Sequence, residues 1–348
     1  MSVAPLPTMN VPAPRPPLPK IALEEAFAHK QTMNLDQNGN PDWDWHKEEN
    51  ALNQQYIDAV GPRLFDFEET RLPAMDEAGI QFIVNSLTCP GIERILDPRE
   101  AQDAATAVND FLAEQISLHP DRFGGFASVA MHDPEKGAAE LERCVNQLGF
   151  KGVLFNGYAQ QHTEDNLVYL DDERYTPLWE AVTSLDVPVY IHPRVSYQRM
   201  MYQGHEELQG MVFGYSPETA VHMLRIVYSG VFDRFPTAQV IIGHMGETIP
   251  FQAWRIQHAF EHSPRQDKVE LRLQDYLKRN IWITTSGNYS TTALHCAMDT
   301  MGADRIMFSV DYPYEDMAEA SDWFESCDIS EPDRHKIGYE NAKRLLRL

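Results

Sequence analysis

Short apolar runs recur along the chain, and each is followed by a longer stretch with apolar residues three and four apart. The first pattern is that of a buried strand and the second that of an amphipathic helix. Strands are predicted at Lys20–Ala26, Gln81–Ser86, Gly124–Met131, Lys151–Asn156, Val187–His192, Gln239–His244, Asn280–Ser286 and Arg305–Asp311. Between them, Glu100–Leu118 carries Val108, Phe111, Leu112 and Ile116 at helical spacing. Asp133 and Pro134 supply an N-cap and a first-turn proline, and Gly149 ends the helix they open. Further helices are expected around Tyr175–Leu185, from a Ser216-Pro217-Glu218 start capped by Ser216 to Gly230, through Trp254 and His258, near Thr291–Met301, and after Ser330. The strands are nearly continuously apolar, so both faces are to be buried. Alternation of strand and helix implies a parallel sheet, and eight repeats imply closure into a (β/α)8 TIM barrel. An open doubly wound sheet competes, but no strand leads into a GxGxxG or Walker loop.

Two stretches fall outside the alternation. Residues 1–19 hold seven prolines and read as an extended arm. Residues 20–348 then form a single domain, with long insertions after strand one (His29 to about Tyr56, with Trp43 and Trp45) and after strand five (Pro193 to Tyr215).

In a barrel of this kind the chemistry gathers where the strands end. Read there, the chain gives Glu24, Thr88 just past strand two, Asn156, His192, His244, Ser286 and Asp311. Asp311 is the most telling: a run of apolar or small residues precedes it and Tyr312-Pro313 ends any strand after it. Glu24, His192 and Asp311 make a carboxylate–imidazole–carboxylate set for one divalent cation, with Mg, Zn and Mn equally suited by ligand type. A competing reading pairs Glu24 with an arginine. His244 and Glu247 stand three apart across a strand-to-helix turn, so the carboxylate either orients the ring or serves the helix dipole. Arg255 either meets a substrate or braces its helix, and His222 reads as a core histidine.

Charge narrows the partners. With 29 Lys+Arg against 52 Asp+Glu the net charge is −23, which argues against nucleic acid and anionic membranes. An anionic substrate would then need a local positive centre. Four scattered cysteines (Cys89, Cys144, Cys296, Cys327) form no CxxC, so reduced thiols and a cytoplasmic location are expected. No apolar run is long enough to span a bilayer, and no signal peptide is apparent.

Taken together, Leu23-Glu24-Glu25-Ala26-Phe27, Val187–Arg194, Ile242–Glu247, Ile283–Asn288 and Phe308–Tyr314 resemble the nonoxidative ortho-hydroxybenzoate decarboxylases. These form part of the aminocarboxymuconate-semialdehyde decarboxylase-like branch of the amidohydrolase superfamily. The resemblance runs from Lys20 to the C-terminus. It implies that Glu24, His192 and Asp311 hold a metal and that Asp311 also handles a proton. It further implies that His244 and Glu247 are a catalytic pair, with Asn156, Arg255, Thr88 and Phe27 on the substrate side. The implied activity is reversible decarboxylation of salicylate, 2,3-dihydroxybenzoate or 2,6-dihydroxybenzoate without organic cofactor, by a homodimer or homotetramer. Many relatives have a ligand histidine where this chain has Ala26, a loss that favours a harder, oxygen-preferring metal. The alternative activity is metal-dependent hydrolysis of a small cyclic carboxylate. A dinuclear hydrolase would call for His-x-His after strand one and a bridging lysine after strand four, where Glu24-Glu25-Ala26 and Asn156 stand.

Overall fold

The computed structural model describes residues 18–33 and 52–348. Residues 1–17 of the proline-rich arm, and Trp43 and Trp45 of the first insertion, lie outside the described residues. The principal strands are β1 (Lys20–Phe27), β2 (Ile80–Leu87), β3 (Phe123–Gly125), β4 (Val153–Asn156), β5 (Val189–His192), β6 (Val240–Ile242), β7 (Ile281–Thr284) and β8 (Ile306–Met307). All pair in parallel, in two arcs of order β1-β2-β3 and β8-β7-β6-β5-β4. The arcs meet at both ends. Ala127, just past β3, bridges to Val153 of β4, and the Ala26 N–H of β1 donates to Tyr312 O at 2.7 Å.

Each crossover carries a helix: α1 (Arg71–Ala78), α2 (Pro98–Leu118), α3 (Pro134–Leu148), α4 (Thr176–Leu185), α5 (Tyr215–Tyr228), α6 (Ile249–Phe260) and α7 (Thr291–Met301), with α8 (Met317–Ser326) after the last strand. Helix α3 starts and stops where its sequence says. The Asp133 carboxylate accepts from the Lys136 N–H, and Gly149 closes the helix at φ 74°. Helix α2 begins two residues before the expected Glu100, because Asp97 caps it by accepting from the Arg99 and Glu100 N–H groups. Helix α5 begins at Tyr215 rather than on a Ser216 cap, and the Ser216 hydroxyl is used elsewhere, as described below.

Alternate strand residues divide between two cores. Leu23, Val84, Leu154, Tyr190, Ile241, Trp282 and Met307 pack together inside the ring, joined by Phe126. Their neighbours Ala22, Ile83, Val153, Val189, Ile242 and Ile283 pack outward against the helices. Burial on both faces is what the continuous apolar runs encode.

Most strands are a little shorter than the apolar pattern, and β3 and β8 fall furthest short, where side chains take over from the ladder. After β3, the Ser128 N–H donates to Asn109 Oδ1, and Asn109 Nδ2 donates back to Ser128 O. After β8, Phe308–Val310 stay fully buried, but the Ser309 N–H donates to Thr285 Oγ1 and the Val310 N–H to Glu25 Oε1. Among the described residues no helix is long and apolar enough to cross a membrane, and the four cysteines form no disulfide.

Candidate active site

The pairing of β1 with β2 slips twice: β2 spends an extra residue between the partners of Lys20 and Ile21, and β1 spends one between Ala22 and Glu25. Such a bulge re-aims a side chain, and the second falls at Glu24. One carboxylate oxygen of the buried Glu24, Oε2, accepts from the hydroxyls of Tyr190 and Ser286, and from Thr284 Oγ1 at 3.3 Å. The arginine partner considered for Glu24 is not what holds it; hydroxyls do. The other oxygen, Oε1, is buried with no hydrogen-bond partner and lies 3.7 Å from His192 Nε2.

His192 closes β5. Its Nδ1 lies 2.9 Å from Pro193 O; a carbonyl can only accept, so Nδ1 carries the proton and the Nε2 lone pair faces Glu24. Burial, only partly offset by the Glu24 charge, pushes its pKa down and keeps the ring neutral. Asp311 completes the group with a second buried, unpartnered oxygen, Oδ1. Glu24, His192 and Asp311 each offer a ligand atom, all within 4.8 Å of one another. Two orphaned carboxylate oxygens and one free imidazole lone pair fit a divalent cation, with each orphan becoming a ligand. The Ala26 side chain has no ligand atom and packs against Ala28, Val60 and Leu64.

Beside this group, His244 Nδ1 donates to Glu247 Oε1 at 2.8 Å, and its Nε2 lies 3.5 Å from Asp311 Oδ2. The second oxygen of Glu247 accepts from Ser216 Oγ at 2.6 Å, so both its oxygens are committed to side chains. Burial opposes charge on His244, but Glu247, Glu24 and Asp311 outweigh it and raise its pKa well above the imidazole norm. Burial pushes Asp311 up to about 8, against the pull of its hydrogen bond to His244.

Backbone strain concentrates here. His244, Met245, Glu247, Thr248 and Asp311 all have positive φ, Asp311 at 82°. A left-handed L-residue costs about 1–2 kcal/mol, which persists only where the surroundings over-determine it.

A cavity of about 550 Å³ opens over these residues. His192, His244, Glu247 and Asp311 line its polar wall, with Met211, Met245, Pro250, Phe251 and Ala293 on apolar walls. No lysine or arginine is among its described lining residues, and the charge favoured on His244 is already engaged by Glu247 and Asp311.

The remaining expected residues are placed as follows. Thr88 is buried and reaches the cavity through Tyr314, whose hydroxyl is 2.5 Å from Thr88 Oγ1. Asn156 is buried behind the wall: its N–H donates to Glu93 Oε1, its Nδ2 to Leu87 O, and its Oδ1 has no partner. Arg255 is exposed on α6, and Phe27 sits in the core with its ring 5.8 Å from Phe67; neither lines the cavity. Sequence reasoning did not single out Tyr190, Thr284, Ser216, Tyr314 or Glu315 for the site. Tyr190 had a signal, since it lies two residues before His192 and thus on the same face of β5.

An α/β ring with a divalent-cation site and an acid–imidazole pair at its strand ends defines a metal-dependent enzyme of the amidohydrolase type. The amidohydrolase family model matches residues 28–348. A gamma-resorcylate decarboxylase of Polaromonas sp. JS666 is 43% identical, over 94% of this chain and 98% of its own. A crystal structure of a dihydroxybenzoic acid decarboxylase from Polaromonas sp. JS666, with bound manganese and the inhibitor 2-nitroresorcinol, superposes with TM-score 0.88 at 42% identity, covering 95% of this chain and 97% of that one. A 2,6-dihydroxybenzoate decarboxylase complexed with 2,6-dihydroxybenzoate superposes with TM-score 0.88 at 41% identity, covering 95% and 100%. The chain belongs to the amidohydrolase family, among its nonoxidative hydroxybenzoate decarboxylases.

Proposed function

We propose that the protein is a metal-dependent, nonoxidative decarboxylase of ortho-hydroxybenzoates, with 2,6-dihydroxybenzoate (γ-resorcylate) as the best-supported substrate. One observation carries this. The orphaned oxygens of Glu24 and Asp311 and the His192 lone pair lie together at a cavity with no lysine or arginine among its described lining residues. Glu24, His192 and Asp311 hold one Mg, Zn or Mn ion, which supplies the positive charge that fixes a substrate carboxylate and its ortho oxygen.

The chain's own residues do the rest. Asp311 delivers a proton to the ring carbon bearing the carboxylate. The carbon–carbon bond then breaks, its electron pair restores the aromatic ring, and carbon dioxide leaves. His244 holds the proton beside Asp311, 3.5 Å away, and Glu247 fixes the ring of His244. The apolar walls exclude water. Thr88, through Tyr314, and Asn156, with its free Oδ1, shape the substrate side. Every step is reversible, so phenols are carboxylated at high bicarbonate. No organic cofactor enters this scheme.

The same reading takes the ring as a closed (β/α)8 barrel with long insertions after β1 and β5. It takes the enzyme as a cytoplasmic homodimer or homotetramer. Phe251 and Trp254 on α6, and Met200 and Met201 after β5, are 82, 69, 87 and 76% exposed and support a self-association surface.

The test is carbon dioxide release from 2,6-dihydroxybenzoate, 2,3-dihydroxybenzoate and salicylate by chelator-stripped protein with Mn, Mg or Zn restored. Metal-dependent release is expected, with solvent deuterium on the carbon that lost the carboxylate. Hydrolysis of lactones or amides without carbon dioxide release overturns the reading.

A further inference from the structure

Next to Glu24 stands a second acid, Glu25, that plays no part in the chemistry above. It is fully buried. Its Oε1 accepts from Ser309 Oγ at 3.0 Å and from the Val310 N–H at 3.1 Å, and its Oε2 accepts from the Tyr312 N–H at 3.0 Å. One carboxylate therefore grips the backbone on both sides of Asp311. Asp311 is the residue whose φ of 82° needs an external hold.

Ser309 extends the grip to the other acid. Its hydroxyl donates to Glu25 and accepts from the N–H groups of Leu23 and Glu24, at 3.0 and 2.8 Å. The backbones carrying both carboxylates of the candidate metal group are thus tied to one Glu25–Ser309 pair, at the seam where β1 meets the end of β8.

The buried carboxylate is held mainly by these hydrogen bonds, and the charge of Arg71 adds a smaller attraction. Arg71 is also fully buried. It donates to Asn85 Oδ1 and Ala26 O, each at 2.7 Å, and its guanidinium lies between the rings of Phe67 and Tyr312 at 5.0 and 4.9 Å. Asn85 is the residue opposite Glu25 in the β1–β2 register. Arg71 is therefore tied into the strands around Glu25 and is shielded from solvent.

We infer that Glu25, acting with Ser309, is a positioning residue that sets the spacing between the carboxylates of Glu24 and Asp311. It thereby sets metal affinity and the aim of the proton donor. Through Asp311 this rests on the decarboxylase reading; as a statement about metal affinity it stands without it. A charge buried merely for stability would affect melting and leave the site's affinity alone.

The experiment uses the full chain, stripped of metal and titrated with Mn²⁺, alongside kcat, KM, melting temperature and amide exchange over residues 306–316. Glu25→Gln keeps the volume but turns an amide N–H₂ toward a backbone N–H. It should weaken Mn²⁺ binding at least tenfold, lower kcat at least tenfold with a smaller change in KM, and speed exchange in that segment. A Glu25→Gln protein that melts lower yet binds Mn²⁺ and turns over normally while folded overturns the inference. If Glu25→Gln does not fold, Glu25→Asp, which keeps the charge but is a methylene too short to span both amides, gives the same reading. Ser309→Ala does so without disturbing any charge. A wild-type protein that releases no carbon dioxide refutes the decarboxylase reading alone, since Mn²⁺ affinity and exchange still decide the role of Glu25.

Discussion

The turns after β6 and β8 differ in kind from the turn after β2. All three need left-handed backbone. After β2 the residue is Gly91, at φ 58°, and a Cβ there would lie 2.6 Å from Asn156 Nδ2. After β6 and β8 the left-handed positions include one glycine, Gly246, but also His244, Met245, Glu247, Thr248 and Asp311. Glycine adopts this conformation freely, whereas each L-residue pays about 1–2 kcal/mol. The β2 turn needs only the shape; the β6 and β8 turns need the shape together with an imidazole or a carboxylate pointing into the cavity. Strain is kept where a side chain is indispensable and avoided where it is not.

The sharpest way to break this contrast is at Asp311. Asp311→Asn keeps the outline and loses the proton, so kcat for 2,6-dihydroxybenzoate should fall by about 10²–10⁴. Asp311→Gly should lose as much activity while relaxing the φ of 82°, so its melting temperature should not fall. Near-normal turnover in the metal-loaded Asp311→Asn protein would make Asp311 a ligand only.

Glu247→Gln comes next. If the carboxylate orients His244, kcat should fall by about a hundredfold with unchanged melting. Lost stability with intact turnover would make Glu247 a structural acid.

Two glycines then separate site from frame. Gly287 has φ 58°, and a Cβ there would sit 2.8 Å from His244 Cδ2. Gly287→Ala should cost about 1–2 kcal/mol in denaturant titration and also lower turnover about tenfold, by displacing the imidazole. Gly91→Ala should cost similar stability but change kcat by no more than about threefold, with its effect in KM through Asn156. Equal effects on kcat would erase the distinction between the turns.

The smallest effect on turnover is expected at His222, a buried histidine on ordinary helical backbone. Burial first, then the charge of Arg225, pushes its pKa down from the ordinary imidazole range to about 3. Between those values the unfolded chain binds the proton and the folded chain does not, so stability falls as pH drops below about 6.5, by up to about 1.4 kcal/mol per pH unit. His222→Gln can still accept from the Leu170 N–H, and its stability should be flatter across that window in acid-unfolding curves. An unchanged slope would mean that His222 does not govern it.

The sequence by itself determined the order of strands and helices and the polar residues at the strand ends. Both follow from local rules: the apolar period, caps such as Asp133 with Gly149, and a buried run stopped at Asp311 by a proline two residues on. Glu24, His192, His244, Glu247 and Asp311 were legible because a charged or imidazole side chain at the end of a fully buried strand has few other uses.

Only the tertiary structure decided what surrounds them. Tyr190 lies 166 residues from the Glu24 it holds, and Glu25 is 284 from Ser309, separations across which no sequence period carries information. The bulge in β1 decides that Glu24 faces His192 while Glu25 faces the β8 seam, and a one-residue slip is invisible in an apolar run. For the same reason the sequence could not tell that Phe27 would turn into the core, that Arg255 would stay on the surface of α6, or that Ser216 would bind Glu247 instead of capping its helix. Side-chain direction is fixed when the ring closes, because closure sets which face of each strand looks inward.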